Sequence, residues 1–260
     1  MKHVAILLAG GSGARMGGSV EDKILVSING SPVFAHVLKA FVASGTQDAF
    51  IIVVRDNAQR KELASIVQKE RLDLPVFYAT GGSQRQDSVK AGLDMVPSNA
   101  EWITIHDCAR PAVSPESLKA VRKTVMALGC AVSLAHRVTD TIRAFDESPL
   151  ESPARSTLLD RNRLWAMETP QAFPRKLIER AHQNLQKPVT DDLAAVEALG
   201  EPVALVESKH PNPKITRAAD LILLETLLAN DTMNETEKLP IRVGLGYDIH
   251  QLKADLPLVL

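Results

Sequence analysis

A chain of 260 residues, 45% of them hydrophobic, can bury a core in one large domain, or in one domain followed by a fragment. Its 30 basic and 31 acidic residues nearly cancel, which excludes the general basic field that holds nucleic acid by its phosphates. The two cysteines, Cys108 and Cys130, make neither a disulfide framework nor a paired metal-binding spacing and fit a reducing compartment.

In chain order, MKHVAILLAGG opens with an apolar run too short for a signal sequence or a membrane span, which predicts a cytoplasmic location with no membrane partner. Short aliphatic or β-branched runs bounded by turn residues predict buried strands at Val4–Leu8, Phe50–Val54, Trp102–Ile105, Ala131–Leu134 and Val203–Val206. Segments with helical spacing lie between them, at Pro32–Ser44, Ala58–Glu70, Asp87–Met95 and Pro115–Leu128. That alternation predicts an α/β fold with a doubly wound, mostly parallel sheet. Ligands of such sheets sit beyond the carboxyl ends of the strands, so the loops after Leu8, Val54 and Ile105 are expected to converge on a site.

Residues His136–Arg163 break this rhythm, carry Pro149 and Pro153, and predict a projecting β-arm of two extended segments joined by a turn. After an apolar helix at Ala218–Leu228, the polar run NDTMNETEK reads as a linker, and a new strand is expected from Ile241. The expected organisation is a main domain over residues 1–230, a linker over 231–240, and the start of a second domain over 241–260, too short to bury a core alone.

The first candidate site is the loop LAGGSGARMG. Ala9, Gly10, Gly11, Ser12 and Gly13 are small enough for backbone N–H groups to approach phosphate oxygens, and Arg15 and Lys23 follow as cations. Two fixed cations beside a phosphate nest suit phosphoryl or nucleotidyl transfer, where charge spreads over the phosphorus oxygens in the transition state. No GK[ST] closes the run, which excludes a P-loop, and the third glycine of a dinucleotide fingerprint comes one residue late, at Gly17. A plain glycine turn with solvated cations stays open at this level.

In GGSQRQDSV, Gly81, Ser83 and Arg85 could present polar groups to a base or phosphate, while Ser88, at a helix start, reads on its own as an N-cap rather than a ligand. ITIHDCARP ends a strand in His106, Asp107 and Arg110. Asp107 suits a divalent metal or ribose hydroxyls, or is a turn aspartate, and His106 reads as packed rather than catalytic. VTDTI, DRNRLWAMETPQ, VTDD and NPKITR each read singly as a solvated turn or helix cap, but the hydroxyls and cations recurring at segment ends taken together suit a phosphorylated polyol.

In order and approximate spacing these motifs closely resemble the 2-C-methyl-D-erythritol 4-phosphate cytidylyltransferases of the non-mevalonate isoprenoid pathway, over roughly residues 3–228. The resemblance implies CTP and Mg2+ as cosubstrates, attack of the polyol 4-phosphate on the α-phosphorus of CTP, and release of pyrophosphate. It implies that Arg15 and Lys23 stabilise the pentavalent phosphorus, and that Ala9, Gly10, Gly11, Gly13, Gly81, Ser83, Ser88 and Asp107 surround the nucleotide. Arg110, Thr141, Arg161, Thr169, Thr190 and Lys214 would hold the polyol phosphate, with Arg161 and Lys214 orienting the attacking group. It also implies a homo-oligomer in which the arm is exchanged, so that Thr141 and Arg161 serve a neighbour's site. A cytidylyltransferase for ribitol phosphate or another polyol phosphate shares the nucleotide half and is the alternative.

Three positions depart from the commonest family pattern: Cys108 for a small alanine, Asp22 for a frequent proline, and Ser83 for a frequent acidic residue. The tail IRVGLGYDIHQL resembles the start of 2-C-methyl-D-erythritol 2,4-cyclodiphosphate synthase, which implies a bifunctional intact protein and makes Asp248 and His250 two ligands of a divalent metal, Zn2+ being the implied ion. Two ligands are too few for a complete site.

Overall fold

The computed structural model describes residues 1–11, 22–150 and 152–232, with side chains as far as residue 229. Its centre is a sheet of seven strands: β1 (His3–Leu8), β4 (Ala49–Val54), β5 (Val76–Thr80), β6 (Trp102–Asp107), β7 (Ala131–Arg137), β10 (Trp165–Pro174) and β11 (Val203–Glu207). In space they run β11-β7-β10-β6-β1-β4-β5. β1 pairs in parallel with β4 and β6, β4 with β5, and β11 with β7, whereas β10 is antiparallel to both β6 and β7.

The predicted doubly wound sheet is therefore present, with all five predicted strands inside it. β5 and β10 are additional. β5 is only half-buried, as expected of an edge strand. β10 alternates in no simple way because its register shifts between Met167 and Gln171 as it pairs with β7. Such an irregularity hides the period of two on which strand recognition from sequence depends.

The inner strands read as continuous apolar runs because both faces are covered. Along β1, Ala5 and Leu7 pack toward helices α1 (Val33–Ser44), α2 (Asn57–Lys69) and α7 (Ala219–Thr232). Val4 and Ile6 pack toward α3 (Arg85–Leu93), α5 (Arg175–Gln183) and α6 (Asp192–Glu197). Along β4 the same alternation sends Phe50, Ile52 and Val54 one way and Ala49, Ile51 and Val53 the other. Helix α4 (Pro115–Leu128) starts at Ser114, whose hydroxyl caps the Ser117 N–H, and has Pro115 in its first turn. The short helices α5 and α6 were not anticipated, and α7 continues to Thr232, past the residue where the linker was expected to begin.

Within the predicted arm, β8 (Arg143–Phe145) and β9 (Ser156–Leu158) pair antiparallel as a separate hairpin. A second small hairpin, β2 (Ser27–Ile28) with β3 (Ser31–Pro32), leads into α1. None of the helices among the described residues is long and apolar enough to cross a membrane.

Candidate active site

Hydrogen bonds running past the strand ends bring the loops after β1, β4, β5 and β6 together. The Ala9 N–H donates to the Val53 carbonyl, the Gly81 N–H to the Val54 carbonyl, and the Cys108 N–H to the Leu8 carbonyl. Gly10 is required there, because a Cβ would stand 3.1 Å from both the Arg55 nitrogen and the Val54 carbonyl carbon, backbone atoms that cannot swing aside. Beyond these ends lies a cavity of about 550 Å3.

Ala9, Gly10, Gly11, Lys23, Ser83, Ser88, Asp107 and Lys214 all line the cavity, so the structure gathers most of the expected nucleotide site. Gly81 adjoins it through its bond to Val54. Lys23 donates to the Ile215 carbonyl at 3.0 Å, and Lys214 donates to Asp107 Oδ2 at 2.5 Å, so the Lys23 ammonium is held by the segment that carries Lys214 and the Lys214 ammonium by the end of β6. Gly13, Arg15, Asp248 and His250 lie outside the described residues.

Asp107 is not a turn aspartate capping its own loop. Its Oδ1 takes a hydrogen bond from Arg85 Nε at 3.3 Å and its Oδ2 takes the one from Lys214. Burial raises its pKa, but the charges of Arg85 and Lys214 outweigh that and hold the carboxyl well below the ordinary carboxylate range. Arg85 in turn donates through Nη1 to Asp192 at 2.7 Å, and fully buried Asp192 also pairs with His182 at 3.1 Å. Burial disfavours the Arg85 cation, yet Asp192 and Asp107 more than compensate and raise its pKa.

His106 is a packed histidine, as expected. Its Nε2 faces the Arg110 carbonyl at 3.1 Å, an acceptor, so Nε2 carries the proton and Nδ1 accepts from the Thr169 hydroxyl at 3.1 Å. The Thr169 oxygen accepts the Asp107 N–H at 3.1 Å, which fixes the backbone of the cavity carboxylate. Burial lowers the His106 pKa to about 4, which keeps the ring neutral in this chain of bonds.

Several expected residues are not brought to the cavity wall. The Thr169 hydroxyl is consumed behind Asp107, while Thr190 is exposed just before Asp191, the N-cap of α6. Thr141 and Arg161 are exposed on the arm, where Arg161 donates to the Thr139 carbonyl. Arg110 points to the carbonyls of Asn212, at 2.7 Å, and Met167.

Ser88 is not an N-cap. Helix α3 begins at Arg85, and the carboxylate of Asp87 takes the Gln84 N–H, so Ser88 sits inside the first turn with its side chain toward the cavity. The adjacent Gly82 has no room for a Cβ, which would meet the Cβ of Asp87 at 2.3 Å.

Among the polar side chains that line the cavity, Arg55, Gln84 and Thr216 are not among the residues singled out from the sequence. Arg55 directly follows a strand whose end had been assigned to the ligand edge, which was the available signal. Asp22 proves to be an anchor. Its carboxylate accepts from Gln59 Nε2 at 2.6 Å and pairs with Arg55 at 3.4 Å, and Gln59 also donates to the Ala9 carbonyl. Through these bonds Asp22 ties the turn carrying Lys23 to the end of β1. Cys108 is fully buried in the core, where burial drives its thiol pKa well up and leaves it unreactive.

A doubly wound sheet with a cation-lined cavity at the carboxyl ends of its inner strands defines an α/β nucleotide-binding protein of the transferase kind. The chain belongs to the IspD family, 2-C-methyl-D-erythritol 4-phosphate cytidylyltransferase, which matches residues 3–230. A 2-C-methyl-D-erythritol 4-phosphate cytidylyltransferase of Geobacillus thermodenitrificans is 35% identical over 233 residues, covering 88% of this chain and 98% of the relative. A bifunctional enzyme IspD/IspF of Desulfotalea psychrophila is 35% identical over 262 residues, and there this whole chain spans 65% of the relative. Among solved structures, 4-diphosphocytidyl-2C-methyl-D-erythritol synthase of Anaerococcus prevotii superposes with a TM-score of 0.75 at 26% identity, covering 88% of this chain and 98% of that one.

Proposed function

We propose that the chain transfers CMP from CTP to 2-C-methyl-D-erythritol 4-phosphate, giving 4-diphosphocytidyl-2-C-methyl-D-erythritol and pyrophosphate in isoprenoid biosynthesis. The observation that carries this is the cavity itself: Lys23 and Lys214, the Gly10–Gly11 backbone, Ser83 and Ser88 all line it together. A phosphate oxygen of the polyol attacks the α-phosphorus and forms a diphosphate bridge. The bond to the β-phosphate breaks, and its electron pair leaves with pyrophosphate. Lys23, joined by Arg15, binds the non-bridging oxygens where charge grows, and the Gly10–Gly11 amides bear on the triphosphate. Ser83, Ser88 and Gly81 bound the base and ribose, Ser83 doing so as a hydroxyl. Lys214, Arg110, Thr169, Thr190, Thr141 and Arg161 form the acceptor side.

Among the described residues no group of three or more His, Cys, Asp and Glu side chains could hold a metal ion. The cavity offers the one carboxylate of Asp107, a donor set that fits Mg2+ arriving on the triphosphate, since Mg2+ is commonly held by one or two carboxylates plus substrate phosphates. When bound there the ion would neutralise phosphate charge.

The acceptor side is completed in this reading by a second copy of the chain through the arm. In support, the arm leaves Phe145, Leu150 and Leu158 exposed by 44%, 92% and 59% in the single chain. The domain reading rests on the family match ending at residue 230 and on the bifunctional relative aligning along the whole chain. In it, residues 241–260 begin a cyclodiphosphate synthase unit whose Asp248 and His250 contribute to a Zn2+ site. The need for CTP and a phosphorylated polyol supports a cytoplasmic location.

Pyrophosphate release from CTP, Mg2+ and methylerythritol phosphate tests the assignment. Turnover that stops on chelation and exceeds that with ribitol phosphate is expected. No release overturns the reaction, and equal or reversed acceptor preference overturns the substrate.

A further inference from the structure

Behind the cavity lies a second polar cluster that the reaction as described leaves unused: Glu168, His136 and Asn212. Glu168 is only 3% exposed although it is a carboxylate on a strand. Its Oε1 accepts from His136 Nδ1 at 2.6 Å, and its Oε2 accepts from Asn212 Nδ2 at 2.8 Å. The other proton of that amide goes to the Thr169 carbonyl at 2.9 Å, so Asn212 closes the irregular stretch of β10 between Met167 and Gln171. Both partners of the Asn212 Nδ2 group are acceptors, which settles the orientation of the amide.

The Asn212 backbone carbonyl then receives Arg110 Nη1 at 2.7 Å. Arg110 is half-buried, its Nε has no partner among the described residues, and burial lowers its pKa. Glu168 is the largest of the charges that counter this, ahead of Asp107. Two residues further along, Lys214 is fixed by other means, through Asp107 and through the Ile215 N–H donated to the Ala109 carbonyl.

We infer that Glu168 is a positioning residue for Arg110, acting through Asn212 by hydrogen bonding, so that the acceptor side of the site is aligned separately from the nucleotide side. This rests on the reading of Arg110 as a group that binds the acceptor phosphate. Lys23 is anchored at the Ile215 carbonyl and Asp107 by Arg85 and Lys214, bonds that use neither Glu168 nor Asn212, so disturbing Glu168 leaves CTP binding largely intact. Leucine matches the volume of Glu168 but not its bonds. Glutamine can accept from Asn212 with its oxygen and donate its amide proton to the other tautomer of His136, and so preserves the geometry without the charge.

The test compares Glu168→Leu with Glu168→Gln in steady-state pyrophosphate release. Glu168→Leu is expected to raise KM for methylerythritol phosphate at least about tenfold, the scale of one charge-assisted hydrogen bond, with KM for CTP changed less than about threefold. Glu168→Gln is expected to stay within about threefold of the wild type on both. A second readout is independent of turnover: labelling of Arg110 by phenylglyoxal, followed by peptide mass spectrometry, should speed up at least about fivefold in Glu168→Leu and not in Glu168→Gln, as local anchoring is lost. Unchanged kinetics and labelling in Glu168→Leu, a parallel rise in both KM values, or a Glu168→Gln variant as impaired as Glu168→Leu would each overturn the inference. A wild type without turnover overturns the reaction assignment instead, and the labelling still decides whether Glu168 holds Arg110.

Discussion

Acidification between pH 7.5 and 5 should destabilise this protein through two buried histidines before its carboxylates take part. His3 and His106 are both fully buried. Burial lowers His3 to about 4, with the charge of Arg122 adding to it, and lowers His106 to about 4. An unfolded chain titrates histidine near 6.5, so above that pH both rings are neutral in either state and the folded protein loses nothing. As pH falls from 6.5 toward 4 the unfolded state takes up protons that the folded state refuses, and stability drops. With the two pKa values of about 4 and 6.5, linkage gives roughly 2 kcal/mol per histidine at pH 5, and roughly 4 for the pair. That is a large share of the roughly 5–15 kcal/mol typical of a domain. Urea unfolding at pH 7.5 and 5.0 measures the difference. His3→Gln, whose amide can replace the bond that the ring Nε2 makes with Thr104, should reduce the pH-dependent loss by about half. A wild-type loss under about 1 kcal/mol, or an undiminished loss in His3→Gln, refutes the reasoning. Below the histidine range, Asp107 enters with the same sign, because its folded pKa is depressed and its stabilisation is lost as it protonates.

Lys23→Ala should lower kcat at least about a hundredfold with a much smaller change in KM for CTP, as expected of a group that meets charge developing in the transition state; pyrophosphate release measures it. Gly82→Ala forces a Cβ against that of Asp87, so KM for CTP should rise roughly tenfold while the urea midpoint hardly moves, because the displaced loop is exposed and the sheet is untouched. Asp192→Ala strips a fully buried partner from Arg85 and His182 and should cost about 3–5 kcal/mol by urea unfolding. Lys90→Ala removes only the exposed pair with Asp94 and should cost about 0.5 kcal/mol or less. Equal costs for the two would show that the Asp192 network is not structurally coupled.

How far the site was legible depended on where each residue's partner lies in the chain. The loop after β1 was readable because a buried strand, small residues and the cations all fall within one short stretch. Ser88 reads as a cap from the sequence and is not one, because the start of α3 is set by Asp87 reaching back to the Gln84 N–H, a contact that composition does not rank above serine capping. Arg110 and Thr169 carried the right chemistry, but their bonds to Asn212 and His106 span 102 and 63 residues, and no local pattern encodes those. β10 escaped notice for a similar reason, since it crosses the sheet antiparallel and with a broken register.

By itself the sequence determined the parallel α/β class, the ligand edge of the sheet and the type of chemistry at the glycine loop, because buried strands, helical spacing and close-approach glycines are properties of neighbouring residues. Only the tertiary structure decided that Asp107 stands between Arg85 and Lys214, that Asp22 anchors the turn of Lys23, and that Glu168 stands behind Arg110. Those pairings join residues up to 107 positions apart, and their energies exist only once folding has withdrawn both partners from water.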